Sequence, residues 1–313
     1  MSETNGAGAV GDAGNGGGES EGGGASTAAG LSDPSSVRLA AVSYLNTAPL
    51  IEGVAKLRGV RLKLSAPARL IDLLIEDEAD LALASTIDYQ RAGEALSIVP
   101  AGAIGCDGPT LTVRVFSTAP FEEIEELHVD ADSHTSVALA QMVLAEKSGA
   151  GRAPRVKAFD ADEHRAARER DPSCPWPQAL LMIGDKVIVD SPPAAVYPHQ
   201  LDLGEAWKEM TGLPFVYAVW MAKRDRAERA DVRAAAALLD RQRRHNRTRL
   251  DWIIERHARM RGWPVDVAHR YLDRLLRYEF GEAQRRAIEV FFDRAHALGL
   301  LGERKPTVYA ESP

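Results

Sequence analysis

Three polar segments of the sequence carry the residue types best suited to chemistry. They read SYLN (residues 43–46), AST (84–86) and DSHTS (132–136). They offer hydroxyls, an amide and backbone N–H groups rather than strong acids or bases. The start of a helix favours an anion, because its first N–H groups lack intrahelical partners and the macrodipole is positive there. Together the segments predict a site for a small carboxylate, although each one alone is also explained by helix capping.

Motifs for other chemistries are missing from the sequence. GAIGCDGPT (residues 102–110) is rich in glycine, yet it lacks a Gly-Lys-Ser/Thr ending and does not fit G-x-G-x-x-G. There is no G-x-S-x-G nucleophile elbow, and no two histidines have the spacing of metal ligands. Cys106 and Cys174 are far apart, so we expect reduced thiols, no disulfide and no metal. Asp185 follows an apolar run in IGD, where it serves either a turn or a ligand contact.

Composition narrows the class of partner. The chain has 313 residues, 45% of them hydrophobic, and a formal net charge of −7, which argues against nucleic acid. No apolar run has the length of a membrane span. Residues 1–35 are rich in Gly, Ser and Ala, so we expect a disordered tail. That tail lacks the features of a secretory signal, and we therefore expect a cytoplasmic protein.

The elements that must position the polar segments alternate between strand and helix. VRLAAV, VRLKLSA and ADLALAST predict strands in a β-α-β-α-β order, hence a parallel sheet. A second unit contains a predicted helix from residue 134 to 149, capped by Asp132 or Ser133. It also contains the segment PQALLMIGDKVIVD (residues 177–190), whose apolar residues predict a strand. After residue 223 the chain becomes helical, and four successive segments, which contain Leu239, Ile254, Tyr271 and Phe292 in turn, each carry an apolar stripe at helical spacing.

This order predicts an α/β fold with two lobes and a ligand cleft between them. We expect residues 36–112 and 217–313 to form lobe 1, including a C-terminal helical block, and residues 113–216 to form lobe 2. Long strands near residues 110–116 and 215–221 would carry the chain across and back. That is the architecture of type II periplasmic binding proteins, in which strand ends face the cleft.

Five segments in order give the chain a specific resemblance. They are SYLNTAPL, GAIGCDGPTLTVRVFS, DSHTSVALAQ, LMIGDKV and DLGEAWKEMTGLPFVYAVWMAK. Together they resemble the MqnA family, chorismate dehydratases of the futalosine route to menaquinone. The likeness spans nearly all of the chain beyond the tail. It implies a periplasmic-binding-protein-like fold and a carbon-oxygen lyase that converts chorismate to 3-[(1-carboxyvinyl)oxy]benzoate and water, with no metal or redox cofactor.

The resemblance also implies roles for individual residues. Asn46 is the leading catalytic candidate, and the substrate's own enolpyruvyl carboxylate is the candidate base. One carboxylate is expected at Thr135 and Ser136, and the other carboxylate or the ring hydroxyl at Ser85 and Thr86. The remaining expected substrate contacts are Ser43, Tyr44, His134 and Asp185.

Two other functions stay open on the sequence. The first is a non-catalytic binding protein for a small carboxylate, which is the ancestral use of this fold. The second is the sister enzyme that makes dihydroxynaphthoate in the same pathway, although its opening motif is a Ser-Pro-Cys-Pro-type turn where this chain has Ser-Tyr-Leu-Asn. We expect a small dicarboxylate as the partner, no nucleic acid and no membrane, and the sequence does not indicate an oligomeric state.

Overall fold

The computed structural model describes residues 36–130, 133–149 and 151–312. The expected tail of residues 1–35, and Asp132 as one of two expected caps, lie outside the described residues. Contacts gather residues 35–313 into one compact unit. The lobe boundaries expected from the sequence therefore stay a prediction, although the strands do sort into two sheets.

The strands begin and end close to the apolar runs of the sequence. β1 covers the whole of VRLAAV, while β4 and β10 are the longest strands and are buried along almost their entire length. The strands are β1 Val37–Val42, β2 Val60–Ser65, β3 Leu81–Ser85, β4 Leu96–Cys106, β5 Val113–Ser117, β6 Glu126–Asp130, β7 Arg155–Phe159, β8 Ala179–Ile183, β9 His199–Asp202, β10 Phe215–Lys223 and β11 Leu276–Arg277.

The first sheet has the strand order β11-β4-β10-β3-β1-β2. β1 pairs in parallel with β2 and β3, which confirms the parallel β-α-β-α-β start. β10 returns antiparallel between β3 and β4, so a strand from late in the chain lies in the middle of the sheet. β10 pairs only within this sheet, and the expected return crossing at residues 215–221 is therefore wrong. The chain returns earlier, through residues 203–214.

The second sheet has the order β7-β6-β8-β5-β9. β6 pairs in parallel with β7 and β8, whereas β5 pairs antiparallel with β8 and β9. The strand expected over residues 177–190 ends at Ile183, because Gly184 adopts φ +68° and turns the chain into a short helix. Residues 187–189 are apolar like the strand before them, so periodicity alone does not separate the two.

Helices flank both sheets and form the C-terminal block. Their bounds are α1 Ala48–Ile51, α2 Leu70–Ile75, α3 Asp88–Arg91, α4 His134–Lys147, α5 Ala161–Arg170, α6 Lys186–Val189, α7 Leu203–Thr211, α8 Ala230–Arg247, α9 Leu250–Met260, α10 Val265–His269 and α11 Glu282–Ala297, with 3₁₀ turns at Leu45–Thr47, Val54–Lys56, Pro67–Arg69 and Phe121–Glu123 and a π-helix at Arg270–Leu275.

The C-terminal block covers the first sheet with the predicted apolar stripes. Leu239 of α8, Ile254 of α9 and Phe292 of α11 are all buried in the main hydrophobic core. Burying such side chains contributes about 1.5–3 kcal/mol each, which explains why this block stays helical and packed. The π-helix is the irregular element, and such segments often lie beside functional sites. None of the described helices is long and apolar enough to cross a membrane.

Candidate active site

A cavity opens where strands of both sheets end. Val42, Leu83 and Ile104 line it from the first sheet, and Val113 and Ile183 from the second. It encloses about 520 Å³ of empty space, part of it open to solvent. Space that water-sized molecules can occupy makes up only about 50 Å³ of it, whereas small-molecule sites commonly have a volume of about 300–1,000 Å³, so the cavity must widen before a ligand of modest size fits.

The polar side chains of this cavity are neutral. Among the described residues that line it, none is acidic or basic. A bound anion would therefore be held by hydroxyl, amide and backbone donors rather than by an ion pair. The polar lining residues are Tyr44, Asn46, Ser85, Thr110, Thr112, Ser133, Ser136, Tyr217 and Tyr271.

The segment that carries Asn46 is fixed from outside the cavity. The N–H group of Leu45 donates to both carboxylate oxygens of Asp185, at 3.2 Å each. The Arg261 guanidinium donates to the carbonyl of Ser43 at 2.9 Å and lies 3.5 Å from the Asp185 carboxylate. Burial raises the pKa of Asp185, while the Leu45 N–H group and Arg261 act in the opposite direction. These contacts hold the backbone that leads into Asn46.

Glycine is required where this segment meets the second sheet. Gly184 has φ +68°, and a Cβ at this position would lie 2.9 Å from the ring of Tyr44. The aromatic ring therefore packs directly on the backbone at the end of β8. This close contact also explains why Gly184 and Tyr44 line the same cavity.

Asn46 lies beside a pair of hydroxyls. The Tyr271 hydroxyl is 2.6 Å from Oγ1 of Thr112, and either can be the donor. Burial raises the pKa of Tyr271, and its hydrogen bonds with Thr112 and Asn46 act in the opposite direction. Tyr271 therefore stays a neutral phenol at physiological pH. It can orient Asn46 and Thr112, but its high pKa makes it a weak proton donor.

The turn between the two sheets presents two threonines to the cavity. The N–H group of Thr112 donates to the carbonyl of Thr110, and Leu111 between them has φ +69°. A three-residue turn of this hand is strained for a residue other than glycine. Its hydrogen bonds must therefore hold it in place against a more relaxed conformation.

One carboxylate holds that turn. Asp202 accepts hydrogen bonds from the N–H groups of Thr110 at 2.9 Å and Leu111 at 2.7 Å. The same carboxylate caps α7 by accepting from Gly204 at 3.0 Å and Glu205 at 3.3 Å. Four backbone donors on one side chain tie the strained turn to the start of a helix. Asp202 does not itself line the cavity.

The start of α4 delivers two further hydroxyls. Ser133 is confirmed as the cap, because its hydroxyl accepts from the Ser136 N–H group at 3.3 Å. The Ser133 and Ser136 hydroxyls are 3.0 Å apart, and both residues line the cavity. A ligand acceptor placed here would meet both hydroxyls at the positive end of a 14-residue helix.

The structure brings only part of the expected site together. Tyr44, Asn46, Ser85 and Ser136 line the cavity, whereas five other expected residues do not. Ser43 is exposed and offers its carbonyl to Arg261, and Asp185 supports Leu45 from behind. The hydroxyl of Thr86 donates to the Val216 carbonyl, the hydroxyl of Thr135 accepts from the Ile87 N–H group, and His134 bonds Asp88 at 2.7 Å.

Four polar residues of the cavity were missed by sequence reasoning. Thr110 and Thr112 follow the Gly-Pro turn of GPTLT, so a turn signal stood beside them. Tyr217 lies within an apolar strand, and Tyr271 belongs to a helical stripe that indicates only burial. For these two tyrosines the sequence carries no distinguishing signal.

Neither a metal nor a reactive thiol accounts for this cavity. Across residues 36–130, 133–149 and 151–312, no group of three or more His, Cys, Asp or Glu side chains is arranged to hold a metal ion. Cys106 is buried, and burial raises its pKa to about 12, so it stays a thiol. Cys174 is likewise a free thiol.

The fold belongs to the periplasmic-binding-protein class. The structure is similar to a protein of Archaeoglobus fulgidus, with a TM-score of 0.63, 16% identity and coverage of 86% of this chain and 100% of that one. It is similar to a Candida albicans protein described as having the generic periplasmic binding protein fold, with a TM-score of 0.62, 14% identity and coverage of 86% and 92%. It is also similar to the periplasmic aliphatic sulphonate binding protein of Escherichia coli, with a TM-score of 0.56, 15% identity and coverage of 86% of this chain and 94% of that one.

The sequence matches define the family within that class. A family model described as menaquinone biosynthesis matches residues 37–297. A chorismate dehydratase of Thermus thermophilus is 30% identical over 272 residues, which cover 82% of this chain and 93% of that protein. The chain therefore belongs to the menaquinone biosynthesis family, and its resemblance to the MqnA family is confirmed.

Proposed function

We propose that this protein is a chorismate dehydratase that acts in the cytoplasm, in the futalosine route. The reaction would convert chorismate to 3-[(1-carboxyvinyl)oxy]benzoate and water. The observation that carries the proposal is the cavity: Asn46 and hydroxyls from several elements converge on one space in a chain whose curated relative is a chorismate dehydratase. Chorismate is a small dicarboxylate, which suits a lining of neutral donors.

The proposed reaction does not require an acidic or basic side chain of the protein. The C–O bond at ring carbon 4 breaks, the proton on carbon 3 leaves, and the electron pair of that C–H bond forms the new double bond. The departing hydroxide and the proton together make water, and the ring becomes aromatic. In this proposal the enolpyruvyl carboxylate of the substrate takes the proton, since the residues that line the cavity include no carboxylate or imidazole.

The protein then contributes position and hydrogen bonds. Asn46 would donate to the leaving hydroxyl, oriented by the Tyr271–Thr112 pair beside it. Ser136 and Ser133 at the start of α4 would hold one carboxylate, and Ser85 with Thr110 would hold the other. Fixing the reacting groups in one geometry and keeping water out are effects that raise the rate without a charged catalyst.

Direct incubation tests this proposal. Purified protein and chorismate are mixed without added metal, and the products are followed by chromatography and mass spectrometry. We expect loss of one water and formation of the aromatic enolpyruvyl benzoate. The matched control is Asn46→Ala, which should leave chorismate largely unconverted under the same conditions.

A binding protein for a small carboxylate is the second candidate, because a sulphonate binding protein shares the fold. Chorismate that stays intact but raises the melting temperature would favour this candidate, since a ligand that binds only the native state stabilises it. Intact chorismate with no stabilisation would reject both candidates for this substrate and direct attention to the sister dihydroxynaphthoate reaction.

A further inference from the structure

A second cavity lies behind the candidate active site. It encloses about 1,100 Å³ of empty space, including space open to solvent. Leu276 lines both cavities, and the π-helix Arg270–Leu275 contributes Tyr271 to one and Asp273 and Arg274 to the other. The second cavity is thus a separate space that shares a wall with the first.

The lining of this cavity combines an apolar surface with a basic one. Pro49, Leu250 and Leu276 supply apolar surface beside the ring of Tyr278. The charged lining residues are Arg243, Arg247, Arg274, Arg277, Asp273 and Glu279. Four guanidinium groups therefore face two carboxylates.

The acids leave two of the arginines unneutralised. Arg247 pairs with Asp273 at 2.8 Å, and Arg243 lies 3.7 Å from Glu279 and 2.8 Å from Asp240. Arg274 and Arg277 have no carboxylate within 4.0 Å in the part of the chain that the structure describes. The Arg277 guanidinium donates instead to the carbonyls of Arg274 and Leu276. Two exposed positive charges thus remain available at one side of the cavity.

Two buried donors add an independent indication of a ligand. The Tyr278 hydroxyl and the Nε–H group of Arg243 are buried, and neither has a hydrogen-bond partner among the described residues. Tyr278 is only 6% exposed, and burial raises its pKa well above the usual value, so its hydroxyl stays protonated. Native proteins rarely leave buried donors unpaired. Both groups can donate to an anionic oxygen, but each atom has less than 1 Å² of accessible surface, so a ligand reaches them only if the side chains around them move.

We propose that this cavity binds a small amphipathic anion. The apolar body of the ligand would lie on Pro49, Leu250 and Leu276. Its phosphate- or carboxylate-type group would meet Arg274 and Arg277, where planar guanidinium groups match such oxygens. The Tyr278 hydroxyl would donate to the same ligand. This site is distinct from the candidate active site and does not depend on the reaction proposed for it.

Titration of the full chain with phenyl phosphate tests the proposal, because this probe has an apolar ring and a dianionic head. Isothermal titration calorimetry compares the wild-type protein with an Arg274→Gln, Arg277→Gln double variant. Both side chains are exposed, so the double variant is expected to fold. We expect its Kd for phenyl phosphate to rise at least tenfold.

The matched control is an Arg241→Gln, Arg259→Gln double variant, which changes the net charge equally. Both residues are exposed and neither lines the cavity, so the control should bind like the wild type. An equal Kd in the wild type and the Arg274, Arg277 variant overturns the proposal. The same is true of an equal loss in the control, or of no binding by the wild type at millimolar probe.

Tyr278→Phe separates a role in binding from a role in the fold, because the melting temperature and the Kd for phenyl phosphate are both measured. It removes an unpartnered buried hydroxyl, so the melting temperature without probe should stay the same or rise. The Kd for phenyl phosphate should nevertheless rise severalfold. A lower melting temperature together with an unchanged Kd would show that the hydroxyl supports the fold and has no part in the site.

Discussion

Two cavities meet at Leu276, and their linings are chemically opposite. The candidate active site presents hydroxyls and one amide, with no charged residue among its described lining, whereas the cavity behind it presents four arginines. The polar groups of the first are short side chains tied to backbone turns and a helix start. Those of the second are long side chains, and three of the four arginines are exposed.

The contrast separates two ways of binding an anion. Short donors fixed by the backbone lose little conformational freedom on binding and impose one orientation on the ligand, which a reaction needs. Guanidinium groups supply charge but cost more conformational entropy to immobilise. We therefore expect the donors of the first cavity to hold a reacting molecule in one geometry. We expect the arginines of the second cavity to recognise a ligand by its charge.

Asn46 provides the largest test of that contrast. Asn46→Ala should lower kcat about 100- to 1,000-fold, the range measured when one donor to a developing charge is removed. Steady-state kinetics with chorismate measures it, and the affinity for phenyl phosphate should stay unchanged. Gln141→Ala is the control, because this amide donates to the Pro154 carbonyl and does not line the cavity. Near-normal turnover in Asn46→Ala would remove Asn46 from the reaction.

Asp202 tests whether the backbone holds the neutral cavity in shape. Asp202→Ala leaves four N–H groups without their acceptor and should lower the free energy of unfolding by about 3 kcal/mol. Urea denaturation measures this change. In the folded variant kcat should also fall, because the strained turn at Leu111 is free to relax.

The control for Asp202 is Asp160→Ala at the start of α5. The Asp160 carboxylate accepts from the N–H groups of Asp162 and Glu163, both of its own helix. Its loss should cost about 1 kcal/mol, an ordinary cap. Equal losses of stability in the two variants would mean that Asp202 acts only as a helix cap.

Ser136 tests whether neutral donors hold a carboxylate. Ser136→Ala should weaken substrate binding by about 1.5–3 kcal/mol, which raises KM at least tenfold. Ser148→Ala is the matched control, since this serine follows the other end of α4 and its hydroxyl donates to the Ala145 carbonyl. An unchanged KM in Ser136→Ala would contradict carboxylate binding at the start of α4.

The smallest expected effect is the pH-dependent stability that the His134–Asp88 pair gives to the fold. It tests whether a charged histidine takes part in substrate binding. The Asp88 carboxylate raises the pKa of His134, with Arg91 opposing and Asp72 adding to the shift. Because the folded pKa lies above the unfolded value, the pair stabilises the protein fully below about pH 6.5 and loses this contribution as the pH rises through the folded pKa. The pair is partly exposed, so the contribution is about 0.5 kcal/mol.

Urea denaturation of the wild type and His134→Gln at pH 5.5 and pH 8.5 measures that contribution. The difference in stability between the two proteins should be present at the lower pH and vanish at the higher one. KM for chorismate should stay constant over the same range, because His134 does not line the cavity. A KM that rises as His134 loses its proton would mean that a cation takes part in substrate binding.

Much of the fold could be predicted from the sequence, because local patterns of apolar residues and helix caps indicate the strands and helices. The run VRLAAV is strand β1 residue for residue, and the helix expected from residue 134 begins there with Ser133 as its cap. Where two elements share a composition, the local pattern was insufficient. Residues 179–183 and 187–189 are both apolar, and the turn at Gly184 separates β8 from α6.

The candidate site was also predictable only in part. Asn46, Ser85 and Ser136 stand at strand ends or helix starts, positions that the pattern identifies. Thr86 and Thr135 stand at equivalent positions, yet their hydroxyls bond the protein instead of facing the cavity. A one-residue step along a strand or helix redirects the side chain, so composition cannot tell Ser85 from Thr86.

The sequence by itself determined the family, the order of strands and helices, and the polar segments that could bind an anion. Only the tertiary structure decided which of those residues meet. β10 lies between β3 and β4, which places Tyr217 near Ser85, and the π-helix sets Tyr271 against Thr112 although 159 positions separate them. The physical reason is that strand pairing and helix packing join distant segments, while side-chain periodicity records only which face of one element is buried.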